Sequence, residues 1–307
     1  MTVAVYVGIY LGLLIFLAGC IGRVMQYARA PIHLRWELYP VPHEDPERAA
    51  HGGSSFETSN RWTRPPHFNW RGELRATLPE IAFLKGLWEF NRRLWYASFL
   101  FHAGLYLTIA TGLLIAAAAL FGGPSHASFV FWVRGLYHAT AYAGVVLTLC
   151  GAVALLFHRL TDPALKNYTS AADIFNLHFF ILTYGFVAAG YLVRGEGTAS
   201  ASAVLRGLAT FDTSLAVSTG FAVGLMLASA LLAYIPFTHM AHFIAKYFTY
   251  HAVRWDDRAN VRGGRVEAKV AGHLAYKPTW AAAHIGADGQ KTWAEIVATN
   301  PAPEVRK

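Results

Sequence analysis

Charge is scarce in this chain. Only 14% of its 307 residues are Asp, Glu, Lys or Arg, whereas soluble domains carry about 25%, and that shortage argues against a water-exposed globule. Cysteine is scarcer still. Cys20 and Cys150 are too few for a disulfide framework, a four-thiolate zinc site or an iron–sulfur cluster held by this chain alone, so any such centre belongs to a partner. Acidic residues number 18 against 26 basic ones, for a net charge of +8. A nucleic-acid-binding face needs a soluble basic surface, however, and here Lys and Arg are confined to segments between apolar runs. The sequence shows no internal repeat, phosphate-binding glycine loop or nucleophile motif.

What the chain has is apolar length, with 55% hydrophobic residues. A hydrocarbon core of about 30 Å needs roughly 20 apolar residues per helix. Five runs meet that length, at residues 3–22, 95–121, 129–157, 171–193 and 213–250. The last is too long for one straight crossing, and Pro236 is expected to kink it or to mark where it leaves the hydrocarbon. The expected fold is an all-α integral membrane bundle of five helices over residues 1–255, with a long inner loop at 23–93 and a cytoplasmic docking extension at 256–307.

Orientation follows from the basic residues. Eleven lie between residues 23 and 93, Arg159 and Lys166 lie in the turn after the third run, and ten more follow from Lys246 onward. Those 23 share one side of a five-crossing chain, leaving Arg134, Arg194 and Arg206 for the other. The positive-inside rule then puts the N-terminus outside and the C-terminus inside. Leu17, Ala18, Gly19 and Cys20 read like a lipoprotein cleavage box, which would make the first run a signal peptide. Against this, Met1 to Val7 lack the charged region of a signal peptide, and cleavage would place the Arg-rich 23–93 segment outside. Before the second run, Ile81, Leu84, Leu87, Trp88 and Leu94 recur at helical spacing beside Lys85, Arg92 and Arg93. That pattern suits a helix lying in the membrane interface or against a partner.

Ionisable side chains in hydrocarbon are costly and functional by default. His102, His138, His178 and His242 lie within apolar runs or near their ends, and His239 lies one turn before the last. For a single histidine, a hydrogen bond between helices is an equal reading; for several on different helices it weakens. His102 is about eight residues from the inner end of its run and His242 about eight before the end of the fifth, so both lie roughly 12 Å below the inner surface. Two imidazoles from different helices at one depth can clamp a b-type haem iron as axial ligands. Ala103, Gly104, Ala241 and Ala245 could leave room for such a group, or could serve plain helix packing. His138 and His178, offset in depth by roughly 6 Å, form a second possible pair. His239, three residues before His242, could replace either partner or face headgroups. His126, His158 and His251 read as solvated. A reading of another class is a haem-free membrane anchor or transport protein whose histidines relay protons.

At this point the chain resembles a known family, the membrane cytochrome b (gamma) subunit of respiratory nitrate reductase, and within it the relatives found in sulfur-metabolism and hydrogenase-linked complexes. The resemblance covers about residues 1–255. Phe101, His102, Ala103 and Gly104 are similar to the family's Phe-His-x-Gly at the first haem ligand, and Pro236 to His242 to its Pro-Phe-Ser-x-x-x-His at the partner ligand. Arg159, Leu160, Thr161, Asp162 and Pro163, followed by Ala172 and Asp173, look like its loop between helices three and four. The nitrate reductase subunit holds an outer haem with a second histidine ten residues after the first and another about eighteen before the last; here those positions are Gly112 and Gly224. The resemblance therefore implies one haem b, with a second only if His138 and His178 hold it. The run Leu34 to Pro40 looks like the sulfur-associated relatives. The resemblance further implies a bacterial cytoplasmic (inner) membrane location, electron exchange with menaquinone or ubiquinone, and a cytoplasmic iron–sulfur partner subunit. Membrane lipid surrounds the bundle, and nucleic acid has no place in this reading.

Overall fold

Backbone amides in hydrocarbon have no water to bond, so an apolar run of spanning length must close its hydrogen bonds within itself as a helix. The computed structural model describes residues 1–30, 41–42, 44, 46–52, 58–63, 69–121, 127–256, 258–279 and 285–299. Among these, the regular elements are helical, and five helices are long and apolar enough to cross a membrane. The first is α1 (Thr2–Ala28). The short α2 (Pro46–Ala50), α3 (Trp70–Phe83) and α4 (Lys85–Phe90) precede the second crossing, α5 (Arg92–Phe121). The third, α6 (Ala127–Thr161), has 35 residues and is therefore about 52 Å long, well beyond the hydrocarbon thickness. The one-turn α7 (Pro163–Lys166) leads to the fourth crossing, α8 (Ala171–Leu192). An amphipathic α9 (Ala201–Thr210) then connects to α10 (Thr219–Tyr234). Pro236 converts the end of the fifth crossing into a 3-10 turn, Ile235–Phe237, followed by a second, His239–Ala241. Beyond these come α11 (His242–Phe248), a π-helical segment Thr249–Arg254, α12 (Arg265–Leu274) and α13 (Trp293–Ala298). The Leu34 to Pro40 run and His126 lie outside the described residues.

The chain divides into two compact units, residues 1–21 with 76–241, and residues 22–75 with 242–307. In the first unit, helices meet through small residues, as packing in lipid requires. A Cβ on Gly104 would strike the backbone and hydroxyl of Thr148, one on Gly151 would strike the backbone of Phe101, and one on Gly144 would lie 3.1 Å from Thr108 Oγ1. Those contacts seam α5 to α6. Gly190 against Gly220, and Gly224 against Val187 at 2.7 Å, seam α8 to α10. Gly8, Gly12 and Gly19 of α1 meet Met226, Ser229 and Pro236 along the fifth crossing. Gly19 and Cys20, which suggested a cleavage box, thus belong to a continuous helix whose glycine face packs on Pro236.

The α9 helix closes one end of this unit. Val204 and Leu208, four residues apart on one face, join Val5, Tyr6, Val217 and Phe221 in an apolar cluster. Tyr10 Oη donates to the Leu208 carbonyl, and Thr2 Oγ1 donates to that of Leu215 at 2.6 Å. At the other end, the single amphipathic helix expected around residues 78–94 is broken twice. Leu84 takes a left-handed conformation (φ 52°), and Asn91 (φ −150°) separates α4 from α5. The bends let α3 and α4 pack on α5: Trp95 Nε1 donates to the Phe83 carbonyl (2.7 Å) and Tyr106 Oη to that of Ile81 (2.7 Å).

In the second unit, Tyr27 packs on Phe248 at 5.7 Å between ring centroids. Thr292 and Glu295 form a capping box that starts α13.

Because Gly151 is seated on backbone while Gly112 has nothing within 4 Å of its Cβ position, the two should respond oppositely to a larger residue. Gly151→Leu is expected to cost about 1–3 kcal/mol through overpacking and Gly112→Leu to be tolerated, as read by thermal unfolding in detergent.

Candidate cofactor site

The two helix ends nearest the candidate histidines are built by capping chemistry. Asp162 accepts from Ala164 N (2.9 Å) with Pro163 at the first position of α7, and Ser170 and Asp173 cap α8 reciprocally. This explains the Arg-Leu-Thr-Asp-Pro motif and its trailing Asp: each acid satisfies amides that a helix start leaves open. Asp173, with its side chain 14% exposed, also lies 3.7 Å from Arg159 of α6 and 3.4 Å from Nε2 of His239. One carboxylate therefore ties the ends of the third, fourth and fifth crossings.

His102 stands on α5, half-buried, with Nδ1 2.7 Å from the Ser98 carbonyl. His178 stands on α8, exposed on the helix face, with Nδ1 2.9 Å from the Ile174 carbonyl. A carbonyl oxygen only accepts, so Nδ1 is the donor in both rings, and in the neutral tautomer that this bond selects Nε2 keeps the in-plane lone pair. That is the tautomer and bracing a metal-ligating imidazole requires. His138, on α6, is half-buried between Tyr137 (ring centroids 4.5 Å) and Tyr142 (6.4 Å, stacked). His239 turns its Nε2 to Asp173, and His242 is the exposed first residue of α11, in the second unit.

Register decides which histidines share a level in the first unit. Phe101 and Phe180 meet edge to face at 4.9 Å, so on these parallel helices His102 and His178 lie within about 5 Å of one height. On the antiparallel α6, Thr140 bonds Thr111 at 2.8 Å, which puts His138 near residue 113 of α5, whereas His178 lies near residue 99. Fourteen residues of helix is about 21 Å of rise. The 6 Å offset expected for a 30 Å core is thus larger in the folded chain, because α5, with 30 residues, is about 45 Å long.

The strongest convergence is apolar. Phe101, Leu177, Phe180, Leu231 and Ala152 form one buried cluster, with Met240 packed against it. Chain neighbours of His102, His178 and His242 meet there. Gly104, by contrast, is filled by α6 and makes no room for a cofactor. Gly224 is closed against Val187, so a large side chain there would force α8 and α10 apart.

His251 differs from the solvated reading: Nδ1 bonds the Tyr247 carbonyl (2.9 Å) and Nε2 lies 3.4 Å from Glu73. Asn176, which no sequence motif marks, is 4% exposed in α8, with both amide atoms lacking a hydrogen-bond partner among the described residues. An amide in an apolar run was the available signal. Among the described residues, no three His, Cys, Asp or Glu side chains group as a metal-ion site.

Five helices long and apolar enough to span define a multi-pass helical membrane protein. A family model, Nitrate reductase gamma subunit, matches residues 87–256, over half of the chain. The chain belongs to that family, membrane subunits of multi-subunit respiratory complexes that carry out electron transfer. Neither the curated proteins nor the solved structures compared with it give a match.

If Asp173 couples the helix ends, Asp173→Ala is expected to lower stability by about 1 kcal/mol from the lost cap, and Arg159→Ala to cost about 0.5 kcal/mol only while Asp173 is present. A double-mutant cycle on thermal unfolding checks this; an equal Arg159 effect in both backgrounds rules the coupling out.

Proposed function

We propose that the chain is the haem b-carrying, quinone-linked membrane subunit of a respiratory redox complex, with His102 and His242 as the axial ligands of a single haem. The observation that carries this reading is the apolar cluster joining Phe101, Leu177, Phe180 and Met240, which gathers the chain on either side of both ligand motifs within the family's matched region. The donor set fits the group. A haem brings four ring nitrogens and asks the protein for two, and imidazole is the axial ligand type of b-type centres. When bound, the haem would supply a one-electron iron couple whose potential the axial ligands tune.

The chain's own residues supply the rest. The Ser98 carbonyl holds the His102 ring in the ligating tautomer. Phe101, Leu105, Leu177 and Phe180 exclude water from that level, and Tyr106, whose ring lies 6.4 Å from His102, is anchored to the Ile81 carbonyl. A single haem is favoured by Gly112 and Gly224 at the positions where the resembled subunit has its outer ligands, and by the distance in register between His138 and His178. Menaquinone or ubiquinone is the membrane substrate in this reading. The N-terminus lies outside, and a cytoplasmic iron–sulfur subunit docks on the basic inner loop and tail at the bacterial inner membrane. The Leu34 to Pro40 run favours the sulfur-metabolism or hydrogenase-linked branch.

The dithionite-reduced spectrum of the purified protein is expected to show a b-type alpha band, with one haem per polypeptide by extraction. His102→Ala and His242→Ala should each reduce haem content to about a tenth or less, while His138→Ala retains it. Absence of the band, or full haem in both ligand variants, overturns the assignment; two haems with loss on His138→Ala overturns the count.

A further inference from the structure

The second unit contains a cavity of about 360 Å³ that the redox reading leaves unused. One wall is apolar: Tyr27 and Ala28 at the end of α1, then Ala245, Phe248, Ala252 and Val253 after the fifth crossing. The other wall carries Arg258, Arg265 and Lys269, and none of the described lining residues is acidic. Arg258 is forked onto Asp256 at 2.8 and 2.6 Å, which offsets its charge. Arg265 and Lys269 are four residues apart and so share a face of α12. Glu267, on the same helix, accepts from Gly263 N instead.

Position selects the ligand. The apolar run of α1 ends near Gly22, so Tyr27 lies about 7 Å past it, at headgroup depth, where tyrosine is at home. A quinone carbonyl can accept a hydrogen bond but brings no charge to match Arg265 and Lys269, and a small inorganic anion gains nothing from the apolar wall. A phosphodiester with attached acyl chains uses both, and basic pockets beside membrane helices are suited to anionic headgroups. At roughly 30 Å³ per displaced water, the volume corresponds to about a dozen waters, enough for a glycerophosphate group.

We propose that the cavity formed by the end of α1, the segment 245–253 and α12 binds the phosphate of an anionic glycerophospholipid, with Arg265 and Lys269 as its principal charge partners. The site stands apart from the haem assignment, since Arg258, Arg265 and Lys269 all lie beyond the family-matched residues.

The test is native mass spectrometry of the full-length protein titrated with phosphatidylglycerol, phosphatidylcholine or inorganic phosphate. Phosphatidylglycerol is expected to be retained preferentially. Arg265→Gln with Lys269→Gln should weaken it about fivefold per cation and roughly thirtyfold together, without changing haem content. The charge-keeping pair Arg265→Lys with Lys269→Arg should retain binding, which separates lost charge from lost folding. Equal retention of the two lipids, or no effect of the glutamine pair, overturns the proposal. Displacement of the lipid by inorganic phosphate overturns the lipid source and leaves a soluble-anion site.

Discussion

Everything in the membrane-spanning unit depends on how closely one helix backbone approaches another. In lipid there is no hydrophobic gain from joining two apolar helices, so van der Waals contact and interhelical hydrogen bonds must hold them. Gly104, Gly144 and Gly151 let α5 and α6 touch backbone to backbone, and Gly190 and Gly224 do the same for α8 and α10. Once those seams are fixed, every other side chain has its height assigned. The edge-to-face meeting of Phe101 and Phe180, and the levels of His102, His138 and His178, follow from registers set by residues with no side chain at all.

The polar chemistry sits where the seams end. Asp173 is at once a cap for α8, an ion-pair partner for Arg159 and a neighbour of His239 Nε2. Pro236 ends regular α-helix in the fifth crossing and yields the 3-10 turns that put Met240 on the Phe101 cluster. Two conformational constraints, a capping box and a missing amide, thus shape the surroundings of the candidate histidines.

Much of this was legible in the sequence. The five crossings follow from apolar length, and the break at Pro236 from its lack of an N–H. His102 stands out as a candidate because an ionisable group in hydrocarbon is costly. Other features were not legible for physical reasons. Leu84 adopts a left-handed conformation with no glycine or asparagine to announce it, so α3 and α4 read as one helix. Gly104 read equally as space for a cofactor or as a packing contact, because pattern alone cannot say whether a glycine faces a void or a neighbouring backbone; the fold makes it a packing contact. The offset between His138 and His178 was underestimated because α5 and α6, with 30 and 35 residues, outrun a core of about 30 Å. The basic cavity draws on three segments up to 242 residues apart (Tyr27 to Lys269), and no local pattern foretells that.

The aromatic group at the start of α5 carries one more consequence. Trp88 meets Trp95 edge to face at 4.7 Å, Trp95 stacks on Phe99 at 4.7 Å, and Arg92 lies over the Trp88 ring at 4.6 Å. Such residues moor a helix to the headgroup layer. His102 comes seven residues after Trp95, about 10 Å along the helix. The mooring therefore fixes the immersion of this imidazole from the near shore alone. In a thicker or thinner bilayer, α5 adjusts at its distant end, while the ring keeps the same draught below the water line.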